Sequence, residues 1–251
     1  MDGIIETTPL TVFLAALATA IATGFGALPF LFVKHVSSRW EALGNAVAAG
    51  LMLAASLGLV NEGLKLGVWR TLLGVGLGVV FMWASHRLMH VRDDLTVGAL
   101  RGADAKKALL IVGVMTLHSA AEGIGVGVSF GGGEDLGLLM TLAIAIHNVP
   151  EGLAISLVLV PRGISAWSAA WWSVFSSLPQ PVLAIPAFFF VAFFEPVLPV
   201  GLGLAAGAMV WMTVSEMIPE SLAEVGVRPV AGALGLSILS MMALGWVLVG
   251  G

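Results

Sequence analysis

The chain has 251 residues, 59% of them hydrophobic and 10% charged, with a mean hydropathy of +1.03. Soluble domains carry about 25% charged residues, so this composition does not supply a water-facing surface, and lipid must replace water around most of the chain. A net charge of −4 argues against a nucleic-acid partner, and the absence of cysteine excludes disulfides and thiolate metal sites.

A helix needs about 20 apolar residues to cross the hydrocarbon core. That ruler predicts eight crossings, over residues 9–34, 42–65, 68–90, 107–130, 136–160, 164–192, 196–219 and 230–250. The first follows Asp2 and Glu6 rather than basic residues and ends without a small-residue cleavage pattern, so it reads as a retained membrane helix. Connections are short except for the polar stretch 91–106. In the sixth segment Gln180 stands between Pro179 and Pro181, near Ser176 and Ser177, which predicts a broken helix lining a cavity or buried in protein. Trp167, Trp171 and Trp172 read as interfacial anchors or packing residues. The expected architecture is an all-α integral membrane protein with one transmembrane domain over residues 1–251.

Orientation follows from the basic residues, which collect on the cytoplasmic side. With the N-terminus outside, Lys34, Arg39, Arg87, Arg92, Arg101, Lys106, Lys107, Arg162 and Arg228 face inward and only Lys65 and Arg70 face outward. The expectation is N-out, C-out. Two internal echoes accompany it. His118-Ser-Ala-Ala-Glu122-Gly123 in the fourth segment matches His147-Asn148-Val-Pro150-Glu151-Gly152 in the fifth, and Ala48-Ala-Gly-Leu-Met52 in the second matches Ala205-Ala-Gly-Ala-Met209 in the seventh. The second echo suggests an inverted repeat of helices 1–3 and 6–8 around a central pair, helices 4 and 5, an arrangement common in transporters.

The first echo carries chemistry. A carboxylate at mid-membrane costs roughly 2.5–3.5 kcal/mol on insertion scales, yet two Glu and two His fall there. Residues i and i+4 share a helix face, so each helix presents one imidazole and one carboxylate together. Consecutive helices joined by a short loop are antiparallel neighbours, which brings His118, Glu122, His147 and Glu151 to one point. Imidazole nitrogen with carboxylate oxygen suits Zn²⁺ or Fe²⁺. The plain alternative, polar side chains satisfied by carbonyls, hydroxyls or water, fits one such residue better than two matched pairs.

At these residues the chain resembles the ZIP (Zrt-, Irt-like) metal transporters. The run His147-Asn148-Val149-Pro150-Glu151-Gly152 is similar to the family's H-N-x-P-E-G signature, and His118 to Gly123 resembles its companion. The likeness continues from Gly50 through Met52 to Ser56, and from Ala206 through Met209 to Glu216 and Glu220, and is nearest to the prokaryotic GufA-like branch. It implies a binuclear centre. Met52, His118, Glu122, His147 and Glu151 would line the first site, and Glu122 and Glu151 would bridge to a second completed by Asn148 and Glu216. The departures are Ser119 and Ala121, where the family commonly has Asn and Pro, so the second site should be weaker. The resemblance further implies inward transport of Zn²⁺, or of Fe²⁺, Mn²⁺ or Cd²⁺, across a cell (plasma) membrane, in prokaryotes the inner membrane, by a homodimer. No cofactor and no catalytic residue is expected.

Other polar residues are secondary. His86, His90, Asp93 and Asp94 at the inner end of the third segment would pass metal to the cytoplasm or simply solvate a helix end. Glu62, Glu134 and Asp135 would collect cations outside, while Met209 reads as packing rather than ligand. Two other functions compete: a metal-sensing or structural membrane protein, and an intramembrane hydrolase. The hydrolase lacks H-E-x-x-H, and although Gly127-Val-Ser129-Phe-Gly131 matches G-x-S-x-G, it lies on a membrane helix rather than a strand–turn–helix, where small-residue packing explains it.

Overall fold

The computed structural model describes residues 7–32, 37–89 and 103–249. Its long elements are all α-helices: α1 (Pro9–Phe25), α2 (Ser38–Leu66), α3 (Val68–Met89), α4 (Ala103–Gly131), α5 (Glu134–Leu159), α6 (Ala166–Ser177), α7 (Pro179–Phe193), α8 (Leu198–Met212), α9 (Ile218–Val225) and α10 (Val227–Val249). Helices α6 and α7 together make the sixth crossing, and α8 continues into α9 to make the seventh, so the chain forms eight helical spans of a multi-pass membrane protein. Among the described residues, five spans are long and apolar enough to cross a bilayer, and Pro9–Phe25 and Val227–Ala243 are shorter apolar helices. Most of the 91–106 stretch, with His90, Asp93 and Asp94, lies outside the described residues.

Local chemistry sets the boundaries. Thr8 caps α1, its hydroxyl accepting from Thr11 N at 3.1 Å, and Pro9 opens the helix where no donor is needed. The first crossing is shorter than expected from residues 9–34: α1 ends at Phe25, and a 3₁₀ turn follows at Leu28–Leu31. Gly24 and Gly26 weaken the helix there, and Pro29 cannot donate to a preceding carbonyl. The sixth crossing breaks at Leu178, between Ser177 and Pro179, as the prolines foretold. In the seventh, residues Thr213–Met217 form a π turn. Pro219 has no N–H for the Ser215 carbonyl, and the helix widens where that bond is missing.

Two groups of helices build the core. Helices α1, α4, α5, α6 and α7 pack together, and α2, α3, α8, α9 and α10 pack together. The groups meet where α2 lies on α5 and α4 lies on α8. Large apolar side chains such as Leu72, Phe190, Leu236 and Trp246 point outward, the arrangement expected where the solvent is lipid. Among the buried polar residues, His118, Ser119 and Glu122 on α4 and His147, Asn148 and Glu151 on α5 lie in the middle of the bundle.

Candidate metal centre

His118 and Glu122 sit on one face of α4, and His147 and Glu151 on one face of α5. All four are buried, and each offers a ligand atom within 4.8 Å of the others. His118 Nε2 lies 3.1 Å from Glu122 Oε1, and His147 Nε2 contacts the same oxygen. Glu151 is different. Both of its oxygens are buried without a hydrogen-bond partner, as are Nδ1 of His118 and Nδ1 of His147. Buried polar atoms are nearly always satisfied in folded proteins, so a carboxylate left with no donor in a site rich in nitrogen and oxygen ligands fits a cation as its missing partner. Two imidazoles and two carboxylates match the donor preferences of Zn²⁺ and related divalent ions.

The glycine that follows each glutamate has a packing role. A Cβ on Gly123 would stand 2.5 Å from the Gln180 carbonyl oxygen, and one on Gly152 would stand 1.7 Å from the Thr23 carbonyl oxygen. Glycine at these two positions lets α7 approach α4 and α1 approach α5 at backbone distance. The E-G pairs therefore join a ligand to a helix contact.

A cavity of ≈ 260 Å³ adjoins the centre. His118, His147 and Glu151 form one end of it, and Met52, Met212, Glu216 and Glu220 line its walls. Its remaining lining residues include Asn45 on α2, Met115 on α4 and Val158 on α5. Helices α2 and α4 begin, and α5 ends, at the side of the bundle that carries Arg39 and Arg162, so the cavity extends from the centre toward that side.

The other candidate residues divide around Glu122. Asn148 and Ser119 are fully buried and face α1, α6 and α7: Asn148 Nδ2 donates to the Thr19 carbonyl at 2.8 Å, and Ser119 Oγ lies 3.5 Å from Ser177 Oγ. Glu216 instead lines the cavity, with His86 Nε2 3.6 Å from its Oε1. It is not one of the four residues whose ligand atoms cluster. Met52 is buried on the cavity wall, whereas Met209 is packed and its sulfur accepts from Ser56 Oγ at 3.6 Å. Glu62 pairs with Lys65 at 2.5 Å, and Glu134 and Asp135 occupy the first turn of α5, where acidic side chains favour the helix N-terminus.

Sequence reasoning missed Thr19, Asn45, Met115, Met212 and Met217. Asn45 was the legible one, an amide in an apolar run. Thr19 and the methionines carry no signal distinguishing them from ordinary helix residues. The hydrolase alternative finds no support, because Ser129 Oγ is buried with no hydrogen-bond partner and so has no base beside it.

Comparison with known proteins agrees with this geometry. Residues 85–250 match the family profile described as ZIP zinc transporter, a family of transporters rather than enzymes. A candidate zinc transporter of Arabidopsis thaliana is 46% identical over 93% of this chain, which spans 38% of that protein's length. The zinc transporter GufA of Myxococcus xanthus is 34% identical, with 82% of this chain and 87% of GufA covered. The zinc transporter ZIPB of Bordetella bronchiseptica is 35% identical, with 80% of this chain and 69% of that protein covered. With a family profile over most of its length, a zinc transporter 34% identical with 82% of this chain and 87% of that relative covered, and the paired H-x-x-x-E-G helices meeting at a buried ligand cluster, the chain belongs to the ZIP zinc transporter family.

Proposed function

We propose that this chain carries divalent transition-metal ions across a membrane into the cytoplasm, with Zn²⁺ the principal substrate, through the His118, Glu122, His147 and Glu151 centre. One observation carries the reading: four buried ligand atoms lie within 4.8 Å of one another, and neither oxygen of Glu151 has a partner. The names of the related proteins favour zinc. The His/Glu donor set also accepts Fe²⁺, Mn²⁺ and Cd²⁺. Met52 contributes a thioether to the first ion, and Asn148 and Glu216, which stand on opposite sides of Glu122 here, are the donors that a second, weaker ion would have to bring together.

The orientation in this reading is N-out, C-out, supported by the excess of basic residues at the inner ends. The cavity then opens toward the cytoplasm, and His86 beside Glu216 lies on the way out. The echo of Met52 and Met209 on the second and seventh spans supports an inverted repeat around α4 and α5. A homodimer in a cell membrane completes the reading.

Uptake by proteoliposomes across a panel of Zn²⁺, Fe²⁺, Mn²⁺ and Cd²⁺ tests it. Zn²⁺ uptake should be saturable and should be abolished in His147→Ala and Glu151→Ala that remain monodisperse in detergent. Uptake unchanged in either variant would remove that residue from the pathway, and no uptake of any metal would overturn the function.

A further inference from the structure

The side of Glu122 turned away from the cavity is closed by an amide. Gln180, at the start of α7 and fully buried, donates from Nε2 to Glu122 Oε2 at 2.5 Å. The amide's orientation is determined by its neighbours. The Thr19 backbone carbonyl only accepts, so Asn148 presents its NH₂ there, at 2.8 Å. The same NH₂ lies 3.4 Å from Gln180 Oε1, which makes that atom the acceptor and turns the Gln180 NH₂ toward Glu122. Thr19 Oγ1 lies 2.6 Å from Gln180 Oε1 and shares its single proton between that atom and the Ala16 carbonyl, 2.7 Å away. Three helices, α1, α5 and α7, thus hold one amide against the carboxylate of a fourth, α4. The close approach of the Gln180 backbone to Gly123 keeps α7 from drifting away.

A binuclear centre needs Glu122 to give one oxygen to each of two ions. Here Oε1 faces His118 and His147, and Oε2 is taken by an N–H donor that points partial positive charge at the place of a second cation. An ion bound there would have to share Oε2 with the Gln180 N–H, weakening a charge-assisted hydrogen bond in a fully buried site and facing the positive end of the amide dipole. We propose that Gln180 is an occupancy-determining residue that restricts this centre to one tightly held metal ion, because its amide nitrogen occupies the Glu122 oxygen through which a second would be bridged. The proposal rests on the metal-centre reading above and adds to it a residue on the broken sixth crossing. It also locates the weakness of the second site in Gln180 as well as in Ser119.

The test uses the purified full chain in detergent, with Zn²⁺ titrated calorimetrically and bound metal counted. The wild type should bind one ion at limiting metal. X-ray absorption at two equivalents should show no metal–metal scattering at the roughly 3.5–4 Å of two-metal sites. Gln180→Leu, which removes the donor at similar volume, and Gln180→Glu, which adds a carboxylate, should each tighten the second ion by about tenfold or more, the worth of the competing hydrogen bond to a charged group. Two equally tight ions with a metal–metal vector in the wild type would overturn the proposal, and that measurement needs no variant to fold. So would an unchanged second-ion affinity in either folded variant. If the wild type binds no Zn²⁺ at all, the metal centre itself fails, a result distinct from failure of the role given to Gln180.

Discussion

Replacing Glu151 with glutamine separates a ligand from a structural residue, because the two roles give opposite signs. Neither Glu151 oxygen has a hydrogen-bond partner, and its side chain is almost wholly inaccessible. Glu151→Gln therefore breaks no hydrogen bond within the protein, and it replaces a carboxyl whose charged form is costly to bury with a neutral amide of similar shape. Without metal, the variant should be as stable as the wild type within about 1 kcal/mol, or more stable. With metal the order reverses. A bound ion stabilises the fold by RT ln(1 + [L]/Kd), about 2.7 kcal/mol at a free concentration one hundred times Kd. Even outer-sphere partners of metal ligands are worth 10–100-fold in affinity, so losing a direct donor should weaken binding by about 100-fold. At the same free zinc the variant then sits at its own Kd and gains only about 0.4 kcal/mol, leaving a difference of roughly 2.3 kcal/mol in metal-dependent stabilisation.

Thermal unfolding in detergent, with a chelator and then with buffered free Zn²⁺, measures both quantities on the same sample. The expected pattern is an unfolding temperature without metal that is equal or higher in Glu151→Gln, and a zinc-dependent rise that nearly vanishes. A variant less stable by more than about 1 kcal/mol without metal, with its zinc response intact, would refute the reasoning and make Glu151 a structural acid.

Two further outcomes test the frame around the centre. Gly152→Ala places a Cβ 1.7 Å from the Thr23 carbonyl oxygen, a backbone atom that moves only if α1 moves, so a destabilisation of about 3 kcal/mol is expected in chemical or thermal unfolding; a change below about 0.5 kcal/mol would show that α1 is not held against α5 as described. Because the chain has no cysteine, single-Cys labelling in intact cells reads orientation directly: Asp135→Cys should react with an impermeant thiol reagent and Ser165→Cys should be shielded, and the reverse pattern would refute the N-out arrangement.

Much of this architecture was legible because lipid makes two demands that leave plain traces. Spans must be apolar, which marked eight segments, and intramembrane acids must have a purpose, which drew attention to Glu122 and Glu151. The i, i+4 spacing of each His/Glu pair then implied a shared face, and the structure brings all four side chains together. Harder to read were features that depend on partners distant in sequence. Gln180 stood out between two prolines, but nothing in its own segment indicates that Asn148 and Thr19 orient its amide. The π turn around Glu216 follows from Pro219 only once the helix is known to continue past it. Met115, Met212 and Met217 become cavity walls through the packing of α2, α4, α5 and α8, and local pattern does not distinguish them from core methionines such as Met82 and Met140.

The H-x-x-x-E-G pattern combines two requirements that a metal centre in lipid must meet together. Ligands must be held to a fraction of an ångström, and elements fixed by packing do this better than loops. In α4 and α5 the residue after each glutamate lies about 100° further round the helix, on a face that meets a neighbouring backbone rather than the centre. Gly123 meets Gln180 there, and Gly152 meets Thr23. Each ligand is thereby tied to a helix that supplies polar contacts of its own: α7 gives Gln180 to Glu122, and α1 gives the Thr19 carbonyl and hydroxyl to Asn148 and Gln180. A larger residue at either glycine would separate the helices and pull these contacts apart with them. The glycines thus bear on the proposed metal centre without lining it, and the Gln180 amide is held in place by the same close approach that positions the Glu122 carboxylate.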